Sequence, residues 1–346
     1  MAVTIFSVYL IFYVYGLRDG IDPLDEGIVA YAASRVADGS VLYRDVFVNW
    51  SPGNIWLISA VFYALGRSLY MARLAGAVTA AFAGIVSFTV LNRLTSRWIA
   101  VLASLYWMAL TGFTKTTSLA TATSFIFSGL ALLIVCKVAD EPSLRTKDHL
   151  LLGVLVGLCV LFQIFDGVAV ALLVAAFMVV RYVSRRHVVD KPTILEVGFL
   201  LAGIGIVLVP VVLYFAAQAS LSDLLYATVF YNIESTQSGL MSRGVSGGPA
   251  IEALFLPLTP TLIVTMYVWY FPYVALTLSV MTVLHGIYRR NRDWTKIAIV
   301  LAYALLTFPS YLRRPDFQHL ISSYFGIVLL LGITVENFAR LFSRLS

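Results

Sequence analysis

Charge is scarce in this chain: Asp, Glu, Lys and Arg make up only 12% of 346 residues, while 60% are apolar. With a mean hydropathy of +0.89 and repeated apolar runs of about 16–22 residues, the chain belongs in a bilayer rather than in water. Cysteine is scarcer still. Cys136 and Cys159 both sit in apolar runs, so no disulfide framework or thiolate metal site is supported, and both read as small buried residues. GxGxxG, Walker-type, HExxH and GxSxG patterns are missing too, which removes support for nucleotide hydrolysis, zinc proteolysis and serine-hydrolase chemistry. No internal repeat, low-complexity tract or soluble domain is visible. A net charge of +6 would suggest nucleic acid as a partner of a soluble domain, but in a polytopic protein the placement of cations matters more than their sum. No nucleic-acid partner is expected.

What is present is a series of apolar segments, at about 2–17, 70–91, 98–113, 118–136, 149–165, 167–181, 194–216, 268–288, 296–312 and 320–338. Each reads as a membrane helix, giving an all-α, polytopic protein of about ten spans in a single integral membrane domain over 1–346. The first segment has no Lys or Arg before it and no A-x-A pattern after it, which fits a retained span better than a cleaved signal. Two outer regions interrupt the series, a first loop at 18–69 and a second region at 217–267.

The first loop holds two helix patterns. Asp22 as cap and Pro23 at the first position start a helix running to about Asp38, where Gly39 ends it. Ser51, Pro52 and Gly66 bracket a second, Pro52 to Leu65, which at about 21 Å is short for a span. With interfacial Trp50, Trp56 and Tyr63, it is expected to lie along the membrane surface. Charge supports that choice. With this helix flat, 15 of 24 Lys and Arg fall on the cytoplasmic side: Arg93, Arg97, Lys137, Arg145, Lys147, four within 181–191, four within 289–296, Arg340 and Arg344. Eleven of 18 acids fall outside. This asymmetry is the positive-inside pattern and puts both termini in the cytoplasm.

Polar residues then gather on one side. Asp25 and Glu26 open the first surface helix, where acids complement the helix dipole and where an ionised carboxylate suits proton abstraction from an activated hydroxyl. Arg44, Asp45 and Arg73 lie within the same outer region. Arg313, Arg314, Asp316 and His319 form a second cluster between the last two spans, with guanidinium groups suited to phosphate oxygens. Against these readings stand plain ones, with acids as dipole partners and the Arg cluster as an interfacial anchor. Asp166 sits at the outer end of a span, where an acid facing lipid is costly. It is expected to cap the following helix or to face a polar cavity.

In order and location, Asp25-Glu26-Gly27 with Tyr31, Tyr43-Arg44-Asp45 followed by Ser51-Pro52-Gly53, Arg73 and Arg314-x-Asp316-x-x-His319 resemble the C-type glycosyltransferases that use a polyprenyl-phosphate sugar. That group contains protein O-mannosyltransferases and lipid A aminoarabinose transferase, and the match is closest to relatives without a C-terminal domain. The Asp223-Leu-Leu-Tyr226 section adds a weaker piece. The resemblance implies two surface helices between the first two spans, a polyprenyl-phosphate-linked sugar donor, a lipid, glycan or protein acceptor, and inverting transfer with Asp25 as base. The implied location is the outer face of the plasma membrane, among membrane lipids. This chain departs from the pattern at Gln163, where relatives often have Lys, and at Ser51-Pro52, where they commonly have two prolines. Some members of the wider structural class need a divalent ion, which leaves metal use open, but no cofactor is expected here, since Asp25, Glu26, Asp45 and Asp316 show no spacing that demands one. The rival class is a transporter or flippase of lipid-linked sugar. It predicts an inverted repeat with paired broken helices, and none is found. A third reading is a noncatalytic scaffold.

Overall fold

The computed structural model describes residues 1–15, 17, 25–112, 118–140, 146–184, 191–237, 260–288, 294–313 and 317–342, and these form helices joined by short connections. In chain order they are α1 (Ala2–Tyr15), α2 (Asp25–Ala37), α3 (Pro52–Leu65), α4 (Leu69–Leu94), α5 (Arg97–Gly112), α6 (Ser118–Asp140), α7 (Thr146–Phe162), α8 (Ile164–Ser184), α9 (Lys191–Ala217), α10 (Leu221–Leu225), a π-helical turn at Tyr226–Phe230, α11 (Tyr231–Gln237), α12 (Pro260–Tyr288), α13 (Trp294–Arg313) and α14 (Phe317–Phe342). All ten apolar segments are helices, and two further helices occupy the first loop. Among the described residues, α4 and stretches of α6, α8 and α9 are long and apolar enough to cross a membrane on length and composition alone. The chain is a multi-pass membrane protein. One expectation shifts: α12 begins at Pro260 rather than near 268, so a helix enters the second outer region.

Two cores form. The large one joins α1, α4–α8 and α12–α14 around Trp107, Phe125 and Phe325. Phe125 stacks on Phe325 with ring centroids 5.0 Å apart, and Trp107 meets Phe125 edge-on at 4.9 Å, offset arrangements that suit the charge distribution of aromatic rings. On α1, Tyr9 crosses α4 at Gly84, where an added Cβ would lie 2.7 Å from the ring. The Tyr9 hydroxyl donates to the Ser104 carbonyl, so a buried phenol stays satisfied in an apolar setting.

α7 and α9 pack backbone to backbone. A Cβ at Gly153 would sit 2.1 Å from the Leu200 carbonyl oxygen, one at Gly203 would sit 2.2 Å from that of Leu150, and one at Gly157 would meet Val207 at 2.9 Å. Lipid tails are as apolar as Leu, so membrane helices gain more from such close approach than from added apolar bulk. α9 is little covered by the rest of the protein: only 11% of its apolar stretch is buried, against 61% for α4.

The smaller core holds together the first loop and the C-terminal end of α9. Ala32 and Ala33 of α2, Leu42, Tyr43, Val46 and Val48 of the following turn, and Ile55, Ile58 and Phe62 of α3 close over Phe215 and Ala227. Trp56 stacks on Phe215 at 5.6 Å, nearly parallel at 12°.

Candidate functional site

The first-loop assembly begins where α2 starts. Glu26 is 5% exposed, and the Arg73 guanidinium grips it in a fork, Nε to Oε1 and Nη2 to Oε2, both at 2.7 Å. Arg73 Nη1 also donates to the Leu17 carbonyl at 2.7 Å. One side chain thus ties the chain after α1, the start of α2 and the first turns of α4. Paired, hydrogen-bonded geometry of this kind is what makes a buried charge tolerable. Ser68 starts α4, accepting from the Met71 N–H at 3.2 Å.

α2 ends as its sequence predicts, at Gly39 with φ +91°, a conformation that glycine adopts without strain. The chain then makes a tight turn in which Tyr43 N–H donates to the Val46 carbonyl at 2.8 Å and Asp45 N–H to that of Val41 at 2.9 Å. Tyr43 itself holds φ +70°. Its ring is buried against Phe215, which pushes its phenol pKa up, and its hydroxyl donates to the Trp50 carbonyl at 2.7 Å. Asp45 closes the turn, its Oδ2 accepting from the Val41 N–H at 2.7 Å. Arg44 pairs with Asp45, Nε to Oδ1 at 2.9 Å, and reaches the Gln218 carbonyl with Nη1 at 3.0 Å. The Arg44 hydrogen bond, followed by that of the Val41 N–H, lowers the Asp45 pKa to about 2. The exposed pair bridges the first loop to the end of α9.

The third place is the break between α7 and α8. α7 stops at Phe162, Gln163 interrupts it, and α8 starts at Ile164. A broken helix leaves backbone groups without intrahelical partners, and α3 supplies two of them. Asn54 Nδ2 donates to the Phe162 carbonyl at 2.7 Å, and Ser51 Oγ accepts from the Ile164 N–H at 3.1 Å. Gly53 permits the approach, since a Cβ there would lie 2.8 Å from the Leu161 carbonyl oxygen. Ser51 does stand at the N-cap of α3, with Pro52 after it, but its hydroxyl makes no cap bond to its own helix. α3 is one of the two helices expected in the first loop, and it exposes Tyr63 and Leu65 while burying Pro52 to Ile55, Ile58, Ser59 and Phe62 against the rest of the protein.

Asp166, in the first turn of α8, is buried and accepts from Ser124 Oγ of α6 at 2.7 Å. Nearby on α6, Ser128 accepts from the Tyr303 hydroxyl at 3.1 Å. Sequence reasoning named Asp166 but missed Ser124, and it missed the bonding of Ser51 and Asn54. The Ser51 role carries no sequence signal, because a serine before Pro reads as an ordinary helix cap.

The predicted site residues therefore collect as Glu26 with Arg73, Arg44 with Asp45, and Asp166 with Ser124. Asp25 is the first residue of α2, and its side chain lies outside the described residues. Arg313 ends α13 and His319 stands early in α14, but their side chains, and all of Arg314 and Asp316, also lie outside them.

The fold is similar to that of ArnT, a polytopic C-type glycosyltransferase. The crystal structure of apo ArnT from Cupriavidus metallidurans, an enzyme of that class, matches over 95% of this chain and 59% of its own, at a TM-score of 0.51 and 15% identity. The structure of the same ArnT bound to undecaprenyl phosphate covers 97% of this chain and 78% of its own, at a TM-score of 0.43 and 16% identity. This chain thus spans 59% of the length of the apo ArnT chain. No sequence-family model and no curated protein sequence matches it.

Proposed function

We propose that this chain is a membrane glycosyltransferase that moves a sugar from a polyprenyl-phosphate donor to a hydroxyl acceptor at the outer face of the plasma membrane. The observation that carries this reading is the ArnT-like fold over 95% of the chain, with an acid pair opening the first-loop helix. The acceptor oxygen attacks the anomeric carbon on the face opposite the phosphate, the bond from carbon to phosphate oxygen breaks, and polyprenyl phosphate departs with that electron pair. Inversion at the anomeric carbon follows. Asp25 takes the acceptor proton. It opens α2, where a carboxylate is stabilised by the helix N-terminus and so is ionised and able to serve as base.

Glu26 has a different part in this reading. Its two oxygens receive the Arg73 fork, which supports a positioning role that fixes the start of α2 beneath Asp25. Charge on the departing phosphate falls to Arg44, Arg313 and Arg314, with His319 as a further donor and Asp45, Asp166 and Asp316 shaping the headgroup site; Arg73 adds to the same field. Donors fixed before the reaction stabilise such charge without reorganising. No metal enters the proposed reaction.

The test is release of sugar from a labelled polyprenyl-phosphate donor by the purified protein in detergent. Asp25→Asn is expected to lose about 100- to 10,000-fold in turnover while keeping its thermal unfolding profile. Near-native transfer by that variant would falsify the base assignment. A donor that crosses vesicle membranes with its sugar bond intact would instead identify a flippase. Loss of transfer in EDTA, restored by magnesium or manganese, would overturn the metal-free route.

A further inference from the structure

The chain that leaves α9 does not continue as a plain helix. Between α10 and α11 the Tyr231 N–H donates to the Tyr226 carbonyl, five residues back, in a π-helical turn. Such turns are rare and gather at functional sites. An α-helix would set residues five apart about 140° from one another. The wider turn instead brings Tyr226 and Tyr231 together, with ring centroids 6.4 Å apart and ring planes at 68°. Asn232 braces the turn, its Nδ2 donating to the Thr228 carbonyl at 3.0 Å.

A third ring arrives from the first loop. Phe47 meets Tyr231 edge-on at 5.3 Å and lies 6.5 Å from Tyr226. It follows the turn in which Tyr43 holds φ +70°, a conformation costly for a bulky side chain. Irregular backbone therefore carries the rings from both sides, yet they are not hidden in a core: Phe47 is 51% exposed and Tyr226 44%. Neither local preference nor burial accounts for this cluster, and a ligand does.

The charges around the rings define that ligand. Segments 41–50 and 217–237 contain three carboxylates, Asp45, Asp223 and Glu234, and one cation, Arg44, which is paired with Asp45. Beyond a phosphate at Arg44, a further anion is disfavoured. An acyl chain is disfavoured too, because Glu234 is exposed and a carboxylate in lipid is costly. Glu234 Oε2 accepts from the Tyr226 hydroxyl at 3.2 Å. An ionised carboxylate offers about four acceptor positions, so capacity remains for hydroxyl donors. A neutral, hydroxyl-rich sugar ring meets these conditions, since its C–H groups pack on the negative face of an aromatic ring while its hydroxyls donate to carboxylate oxygens.

We propose that Phe47, Tyr226 and Tyr231 form a platform on which the acceptor docks, and that this acceptor is a glycan presenting a pyranose ring. As an acceptor site it rests on the glycosyltransferase reading, in which Arg44, three residues before Phe47, meets the donor phosphate.

Saturation-transfer NMR of the full chain in detergent, with mannotriose, maltotriose and chitotriose as probes and no donor present, tests this. At least one of these sugars is expected to receive saturation from the aromatic protons, and Phe47→Ala and Tyr226→Ala should each weaken its binding about 3- to 10-fold. Tyr226→Phe, which keeps the ring without the Glu234 bond, should bind nearly as well as the unmodified protein. If Tyr226→Ala unfolds earlier than the unmodified protein, Phe47→Ala carries the test. Binding of none of these sugars, or equal binding by the alanine variants, overturns the platform even where transfer from a labelled donor persists. Quenching by brominated acyl chains of the fluorescence added in Phe47→Trp would put the rings in lipid and overturn it as well. Sugar binding without any transfer would keep the platform but overturn its role as an acceptor site.

Discussion

α7 makes two contacts that work by opposite means. Along its middle, Gly153 and Gly157 bring it against the α9 backbone, with no room for a Cβ. At its C-terminal end, the start of α3 meets it through the Asn54 amide on the Phe162 carbonyl and the Ser51 hydroxyl on the Ile164 N–H. In the apolar layer nothing is gained by hiding more hydrocarbon, so closeness itself is the source of attraction. At the broken end, backbone groups without partners are the larger cost, and a hydrogen-bonding side chain is worth more than a well-packed methyl. The same helix is held by the absence of side chains at one contact and by their polarity at the other.

That contrast can be broken most severely at the glycine contact. Gly153→Leu places a branched side chain where even a Cβ would meet the Leu200 carbonyl oxygen at 2.1 Å. Overpacking against backbone that cannot yield costs about 3 kcal/mol or more, and the expected result is loss of the monodisperse peak on size exclusion. Glu26→Gln should come next. It removes the charge of the carboxylate that receives the Arg73 fork, Arg73 being 10% exposed, a change costing up to about 3–5 kcal/mol and read as a lowered unfolding temperature. Replacing both partners by apolar residues should recover much of that loss, which separates the effect of charge from that of lost packing.

At the C-terminal contact of α7, Asn54→Ala removes the donor to the Phe162 carbonyl. The expected cost is about 1–3 kcal/mol, with faster hydrogen exchange confined to the α7–α8 corner. Ser51→Ala is expected to act at the same corner and not on the first turn of α3, which would be the result if Ser51 were a helix cap. The smallest effect belongs to Asp45. Its pKa is lowered from 3.8 to about 2, so its contribution to the turn is present above about pH 3.8 and is lost as pH falls toward 2. Between pH 7 and 5 the turn should hold, checked by fluorescence of neighbouring Trp50. A transition centred near pH 4 would contradict the lowered value.

Much of the scaffold could be read directly. Each apolar run became a helix, and Gly39 and Gly66 end α2 and α3 with φ of +91° and +96°, as their positions after apolar stretches require. Asp25 and Glu26 do begin a helix, because acids at the first turn are locally favoured. Less legible was what each polar residue bonds to. Arg73 and Glu26 read in the sequence only as members of one polar group, and the structure couples them to one another across 47 positions. Ser51 looked like the cap of α3, yet its hydroxyl serves a helix 113 positions away. The small-residue contact had a signal that went unread, the spacing Gly153-x-x-x-Gly157, which favours close helix approach in membranes.

The sequence by itself determined that this chain crosses a membrane repeatedly as helices, and roughly where most of those helices lie. A bilayer demands long apolar runs and internally bonded backbone, and both demands are local. Only the tertiary structure decided that Glu26 and Arg73 lock the start of α2 and that the start of α3 satisfies the break at Gln163. Those outcomes depend on side chains from distant segments arriving at one place, where direct contact, not the order of residues, sets which charge or hydrogen bond is satisfied.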